Sequence, residues 1–534
     1  MSMDITKLDE RVSVTGQITI DDIDEIVNAG FRSIICNRPD FEGGGEQPTS
    51  EELEVVAKSL GVTFAYLPVR IGVIPDERGE AFKQLVSELP TPILAFCGSG
   101  KRATALHQMA KTDNVTEEHQ SVVAACNWDN VFDVVVVGGG SAGIGVTASL
   151  LKRRPTLRIA IIEPSDKHYY QPAWTLVGGG AYAAADTVKN MSDVIPKNAV
   201  WVQAAADGFD PKNDIVNLAD GRAIGYRQLI VCPGIRLAWE KIEGLEETLG
   251  KNGVTSNYRF DLAPYTWSLV KELKEGKALF TQPPMPIKCA GAPQKAMYLA
   301  CDHWERVGCL DQIDVEFDTA TAVLFGVADF VPPLMEYVNR YDAKLAFNTN
   351  LVKVDGRKKI AYFDLKDSEG KVTHKEKPFD LLHVTPPQMA PDFVRNSPLA
   401  DASGFCKVNE KTLQHPDYPN VFSLGDVSSS PNAKTAAAVR KQIVVVAENL
   451  LAAKEDHELK VIYDGYGACP LTVENGKVIL AEFGFGGKLL PTFPLNPTVP
   501  RKLAWFFKTT LFPWVYWNAM LKGKEWLARP GKSS

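Results

Sequence analysis

Three places in the chain bring together residue types that can do chemistry. In the first, Gly138-Gly139-Gly140-Ser141-Ala142-Gly143 fits G-x-G-x-x-G, and Glu163 stands twenty residues beyond Gly143. Gly138 permits a tight turn, Gly140 lets the backbone approach a pyrophosphate, and Gly143 lets helix and strand pack closely. A helix opening here offers free N–H groups to phosphates, and the acid can accept hydrogen bonds from ribose hydroxyls. In the second, Cys289 lies between Lys288 and Lys295 in the stretch PIKCAGAPQK, residues 286–295. Neighbouring lysines and a following helix N-terminus both favour the thiolate, which is the nucleophilic form. In the third, Cys97-Gly98-Ser99-Gly100-Lys101-Arg102 has a leading cysteine and a closing arginine, the makings of an anion cradle around a thiol.

The surrounding pattern supplies elements to position these groups. Residues 132–137 read as a buried strand, the glycines follow, a helix-like run comes next, and a second strand over 158–162 ends at Glu163. Glycines alone would say little; strand, glycines, helix, strand and acid in this order are specific. Cys289 follows a strand at 278–281 and precedes a helix at about 294–307, whereas Cys97 follows a strand at 93–96. Cys469 sits in DGYGACPL, a turn leading into a strand pair. Cys36 and Cys232 fall in apolar strand runs and read as core fillers, and no Cys or His pair has a zinc spacing.

With 534 residues the chain is long enough for two to four domains, at about 100–200 residues each. Hydrophobic residues make up 45% and charged residues 23%, an ordinary globular balance. The net charge of −7 argues against a nucleic-acid binder, and nine cysteines are too few and too scattered for a disulfide framework. The first residues have neither an apolar core nor an Arg-rich amphipathic stretch, so a cytoplasmic protein is expected. Alternating strands and helices over 1–112 predict a small α/β domain, and residues 113–130 read as a linker. A large α/β segment follows over 131–499. Residues 500–534 hold four of the ten tryptophans and seven Lys or Arg against one Glu. Their apolar run at 503–521 is broken by Lys508 and Pro513, which suits a bilayer interface better than a span. A helix docked in the core or a dimer interface is the alternative, so homo-oligomerisation stays open.

Two further strands favour FAD over NAD at the first site. The strand over 228–231, ending at Pro233-Gly234, and the segment NVFSLGD, ending at Asp426, resemble the nucleotide- and ribityl-contacting strands of flavoproteins with two dinucleotide folds. The fold class is therefore α/β, with a small N-terminal domain, two Rossmann-like folds and an amphipathic helical tail. A second glycine fingerprint for a nicotinamide is expected within 315–331, where only Gly326 occurs, so the flavin needs another electron donor.

From residue 132 onward the chain resembles the sulfide:quinone oxidoreductases of the mitochondrial-like branch. The resemblance rests on residues 138–143, HYYQPAWTLVG at 168–178, residues 287–295, Gly425-Asp426 with KTAAA at 434–438, and Cys469-Pro470-Leu471. It implies FAD, a redox pair formed by Cys289 and Cys469, and a quinone acceptor at the inner (cytoplasmic) membrane. Carried over, Ser141, Ala142, Glu163, Gln171, Asp426, Ala436, Ala437, Ala438 and Val439 contact FAD, beside Gly138, Gly140, Gly143 and Gly234. Sulfide would attack a Cys289–Cys469 disulfide or trisulfide, and a thiol or sulfite would remove the sulfane sulfur. Residues 1–112 resemble small phosphatase-like domains. Four residues separate Cys97 from Arg102, one fewer than in tyrosine phosphatases, and a six-residue loop resembles that of rhodaneses. Sulfur transfer, phosphatase activity and an inactive regulatory domain all stay open there. So does an alternative reading of the whole: a cysteine-loop phosphatase or redox sensor with a non-sulfide flavin half.

Overall fold

The computed structural model describes residues 5–40, 47–69, 76–111, 131–431, 434–528 and 530–532. The linker expected at 113–130 lies outside the described residues. The chain divides into two compact units, Met1–Asn130 and Val131–Ser534.

In the first unit a five-stranded sheet has the order β1 (Thr6–Lys7), β2 (Val12–Thr15), β5 (Ile93–Phe96), β3 (Ser33–Cys36), β4 (Thr63–Tyr66). All pairings are parallel except β1 with β2. The centre is apolar on both faces: Ile34, Ile35, Leu94 and Phe96 are fully buried. That is the signature of a parallel sheet covered by helices, here α1 (Asp22–Asn28), α2 (Ser50–Ser59), α3 (Asp76–Glu88) and α4 (Lys101–Met109). Thr49 caps α2 by accepting from the Glu52 N–H while the Glu52 carboxylate accepts from the Thr49 N–H. Strand β1, two residues long, is too short to stand out in the sequence.

Two sheets of the second unit position the site, the first mixed and the second all parallel. In the first, β8 (Ala199–Val202), β7 (Ile159–Ile162), β6 (Val131–Val137) and β11 (Ala223–Val231) are followed by β10 (Ile215–Leu218) and β9 (Ala206–Asp210). The last residues of β11 also pair with β17 (Val421–Ser423). Helix α5 (Ser141–Arg153) leaves the C-terminal end of β6 and is buried from Ala142 to Leu151. Gly143 is what lets it lie so close: a Cβ there would sit 1.8 Å from the Gly138 carbonyl oxygen. Gly138 itself has φ +108°, and a Cβ on it would meet the Cys232 carbonyl at 2.5 Å.

The second sheet has the order β12 (Val254–Thr255), β16 (Leu381–His383), β13 (Gly276–Gln282), β14 (Ile313–Thr319), β15 (Lys344–Ala346), all parallel. Helix α6 (Ala292–Val307) connects β13 to β14. A central strand with a helix crossing to its neighbour is the position that β6 and α5 hold in the first sheet. The loop equivalent to the glycine fingerprint is therefore residues 283–291, not the 315–331 segment expected from sequence. It carries Cys289 and three prolines, and Gly291 as its lone glycine.

After the hairpin of β18 (Gly467–Glu474) and β19 (Lys477–Phe483), the tail forms a helical turn Lys502–Phe506, a π-turn Phe507–Leu511 and a helix Phe512–Asn518. Among the described residues no helix is long and apolar enough to cross a membrane.

Candidate active site

A cavity of about 880 Å³ opens where the C-terminal ends of β6, β7, β11 and β17 meet the loop after β13. Gly140, Ser141, Ala142, Glu163, Gln171, Gly234 and Asp426 line it, as do Ala436, Ala437 and Val439 at the start of α7 (Ala436–Lys454). Gly138, Gly143 and Ala438, also assigned to the cofactor from sequence, are not on its wall. The first two shape the turn beneath it, and the Ala438 N–H donates to the Thr435 hydroxyl that caps α7. The Glu163 carboxylate accepts from the Gly139 N–H at 2.8 Å and from the Ser165 N–H at 2.8 Å, which fixes its direction. Burial raises the pKa of Asp426.

Cys289 and Cys469, 180 residues apart, stand with their sulfurs 3.5 Å apart. Cys289 sits in the left-handed region, φ +52°, a strained conformation for a residue with a side chain. Its loop is held by Cys289 N–H donating to the Lys434 carbonyl at 2.9 Å and Lys288 N–H donating to Gln388 Oε1 at 2.8 Å. Cys469 comes from β18, and Gly291 makes the approach possible: a Cβ at 291 would lie 2.7 Å from the Cys469 sulfur. Lys295, one turn into α6 and 2% exposed, places its ammonium 3.1 Å from the Cys289 sulfur and 3.8 Å from that of Cys469. The hydrogen bond from Cys469, followed by the Lys295 charge, holds Cys289 well below the ordinary thiol range, while Cys469 is pushed up. The pair thus carries one thiolate, centred on Cys289, and one thiol.

Among the tail residues that line this cavity, Lys508 and Tyr516 bring polar side chains to it, and sequence reading missed both. Lys508, on the π-turn, is buried in the cavity wall, and burial followed by the Lys295 charge pushes it down to about 7. Tyr516 lines the same cavity and hydrogen-bonds His168 at 2.7 Å. The tail expected at an interface is thus docked on the core along one face. The other face leaves Leu503, Phe506 and Trp514 about half exposed. A lone lysine interrupting an apolar helical run was the signal for Lys508; it reads equally as an interfacial lysine.

In the first unit, Cys97 is fully buried at the end of β5, and Gly100 at φ +78° turns the chain into α4. Arg102 donates to the Val69 carbonyl. A Cβ on Gly98 would meet Arg102 Nη2 at 3.3 Å and Arg38 Nε at 3.6 Å, so two guanidinium groups flank the loop.

The cavity fits FAD. An added Cβ on Gly140 would meet nothing within 4 Å, so the backbone there is open to a ligand, and no side chain caps the N-terminus of α5. Buried Asn257 and Thr175 face the same cavity with side-chain polar atoms that lack a protein partner. Residues 132–442 match the family described as pyridine nucleotide-disulphide oxidoreductase. Residues 4–113 match the phosphatase-like domain of beta-lactamase hydrolase-like proteins. The mitochondrial sulfide:quinone oxidoreductase of Dictyostelium discoideum is 42% identical over 398 residues, 74% of this chain and 87% of that protein. The Mus musculus enzyme is 39% identical over 401 residues, covering 75% and 88%. The crystal structure of the Aquifex aeolicus sulfide:quinone oxidoreductase superposes with a TM-score of 0.62 at 21% identity, over 73% of this chain and 92% of that one. The chain therefore belongs to the sulfide:quinone oxidoreductase family of FAD-dependent enzymes, with a phosphatase-like domain at its N-terminus.

Proposed function

We propose that the protein oxidises sulfide through the Cys289–Cys469 pair and passes the electrons to a quinone at a membrane surface. The observation that carries this reading is the 3.5 Å sulfur separation with the Lys295 ammonium beside it, in the cavity that fits FAD. Bound FAD supplies two-electron carriage between the dithiol and the quinone.

In the oxidised form the two sulfurs are joined. Hydrosulfide attacks Cys469, because Cys289 is the better leaving thiolate, stabilised by Lys295. The sulfur–sulfur bond breaks, Cys469 carries a persulfide and Cys289 a thiolate. An acceptor thiolate or sulfite takes the outer sulfur and leaves the Cys469 thiolate. Closing the disulfide again releases two electrons, so hydrosulfide plus acceptor gives a persulfide or thiosulfate and one electron pair. The exposed apolar residues of the tail, with its lysines, support peripheral attachment to a bilayer, where a long-tailed quinone is dissolved. The phosphatase-like domain would take sulfane sulfur on Cys97, with Arg102 and Arg38 beside it for an anionic acceptor. The six-residue loop supports this over phosphatase chemistry. Asp76, an acid upstream of the loop of the kind a phosphatase would use as proton donor, opens α3, and its side chain lies outside the described residues.

The test is anaerobic. Sulfide should bleach the FAD absorbance within seconds, NADH and NADPH should not, and Cys289→Ser and Cys469→Ser should each abolish bleaching while retaining FAD. Stoichiometric bleaching by NADH, or a fully active Cys469→Ser enzyme, would sink the reading.

A further inference from the structure

His168 is the pivot between the glycine loop and the tail. It is 2% exposed, and burial pushes it down to about 4, so it stays neutral at physiological pH and must choose one tautomer. The choice is forced. Its Nδ1 lies 3.1 Å from the Gly139 carbonyl oxygen, which can only accept, so Nδ1 carries the proton. Nε2 is then a bare acceptor, and the Tyr516 hydroxyl, 2.7 Å away, donates to it. The same hydroxyl is within reach of the Ser141 side chain.

The tail makes further contacts around this one. The Tyr170 and Tyr516 rings lie tilted at 4.7 Å between centres, and Lys189 sits over the Trp517 ring at 4.6 Å. Gly523 lies so close to α5 that a Cβ on it would be 2.6 Å from the Ala148 carbonyl oxygen. Glu525 pairs with Arg153 and accepts from the Ser149 hydroxyl. The strand–loop–helix that faces the cofactor phosphates is thus braced by residues from the far end of the chain.

We propose that Tyr516 is a positioning residue for FAD: by donating to His168 it keeps His168 donating to the Gly139 carbonyl, which fixes the peptides of Gly140 and Ser141 toward the cofactor. Without the tyrosine hydroxyl the imidazole loses its acceptor-side partner, and the tautomer with Nε2–H, which cannot donate to Gly139, becomes accessible. A hydrogen bond of this kind contributes roughly 0.5–1.5 kcal/mol, and 1.4 kcal/mol is tenfold in an equilibrium constant.

The experiment uses full-length protein stripped of FAD and titrated with FAD by fluorescence quenching. Tyr516→Phe should raise the FAD dissociation constant about threefold to tenfold, with the thermal unfolding midpoint of the FAD-free protein unchanged. In a His168→Leu background, Tyr516→Phe should cost no further affinity. Unaltered FAD affinity in Tyr516→Phe, a loss matched by equal destabilisation of the FAD-free protein, or losses that add fully in the double variant would each overturn the proposal. Should His168→Leu fail to fold, nitrogen NMR of histidine-labelled protein decides. Nδ1–H must dominate at His168 in the parent and give way to a mixture in Tyr516→Phe; an unchanged tautomer overturns the idea.

Discussion

Lys295 is the nearest cation to the reactive sulfurs, and it is buried with them. Burial alone would lower its pKa, but the Cys289–Cys469 pair beside it, with its thiolate on Cys289, outweighs that and raises it. Each member of the cluster therefore holds the charge of the other. Replacing Lys295 with methionine keeps the volume and removes the charge. The pH midpoint for alkylation of Cys289 by iodoacetamide should then rise by about one unit or more, a factor of ten or more in the thiolate-to-thiol ratio. An unchanged midpoint would assign thiolate stabilisation to other groups. At this scale the sequence was partly legible. Two lysines near Cys289 could be read directly, because both stand within six residues of it and Lys295 lies in the first turn of α6. Lys508 could not, because it stands 219 positions from Cys289 and enters the cavity wall only through the docking of the tail.

The element that brings the sulfurs together is the crossing of the loop after β13 with β18. Its tightest point is Gly291, where an added methyl would lie 2.3 Å from Leu471 and 2.7 Å from the Cys469 sulfur. Gly291→Ala should push β18 outward at a cost of about 1–3 kcal/mol, as overpacked cores do. The variant should still bind FAD, and its dithiol should oxidise at a less negative potential in glutathione buffers than the parent pair. Equal potentials would mean that the crossing has slack. The tail is a second element with a testable face. Phe506 and Trp514, 52% and 48% exposed, face away from the cavity. Changing both to serine should lower binding to anionic vesicles at least tenfold, because each apolar side chain buried contributes about 1.5–3 kcal/mol. Sulfide bleaching in solution should be retained. Strand periodicity located β6, β13 and β5 well, but which loop of the second sheet matches the glycine loop depends on strand order. Strand order is set by pairing between distant segments, and so 315–331 was the wrong segment to compare.

At the scale of the whole molecule the proposed function puts two cysteine chemistries in one chain. A fused domain raises the effective concentration of its thiol to roughly millimolar where the linker is short and flexible. Cys97→Ser should therefore lower thiosulfate formation from sulfide and sulfite in the full-length protein, while sulfide-dependent bleaching of FAD stays intact. Equal thiosulfate formation in the variant would leave Cys97 outside the sulfur path. The N-terminal fold was legible from its strand–helix alternation. The second guanidinium at its loop was not, since Arg38 follows β3 and meets Gly98 only because β3 and β5 are neighbours.

The contact between His168 and Tyr516 spans 348 residues. A ribosome has made the whole glycine loop, and most of the first sheet, long before it adds the tyrosine that braces them. On the proposed reading, the nascent chain carries an unfinished cofactor site until Tyr516 has left the ribosome, and full FAD affinity follows only then. A ribosome-bound chain stalled before residue 516 would hold FAD more weakly than one stalled well past it.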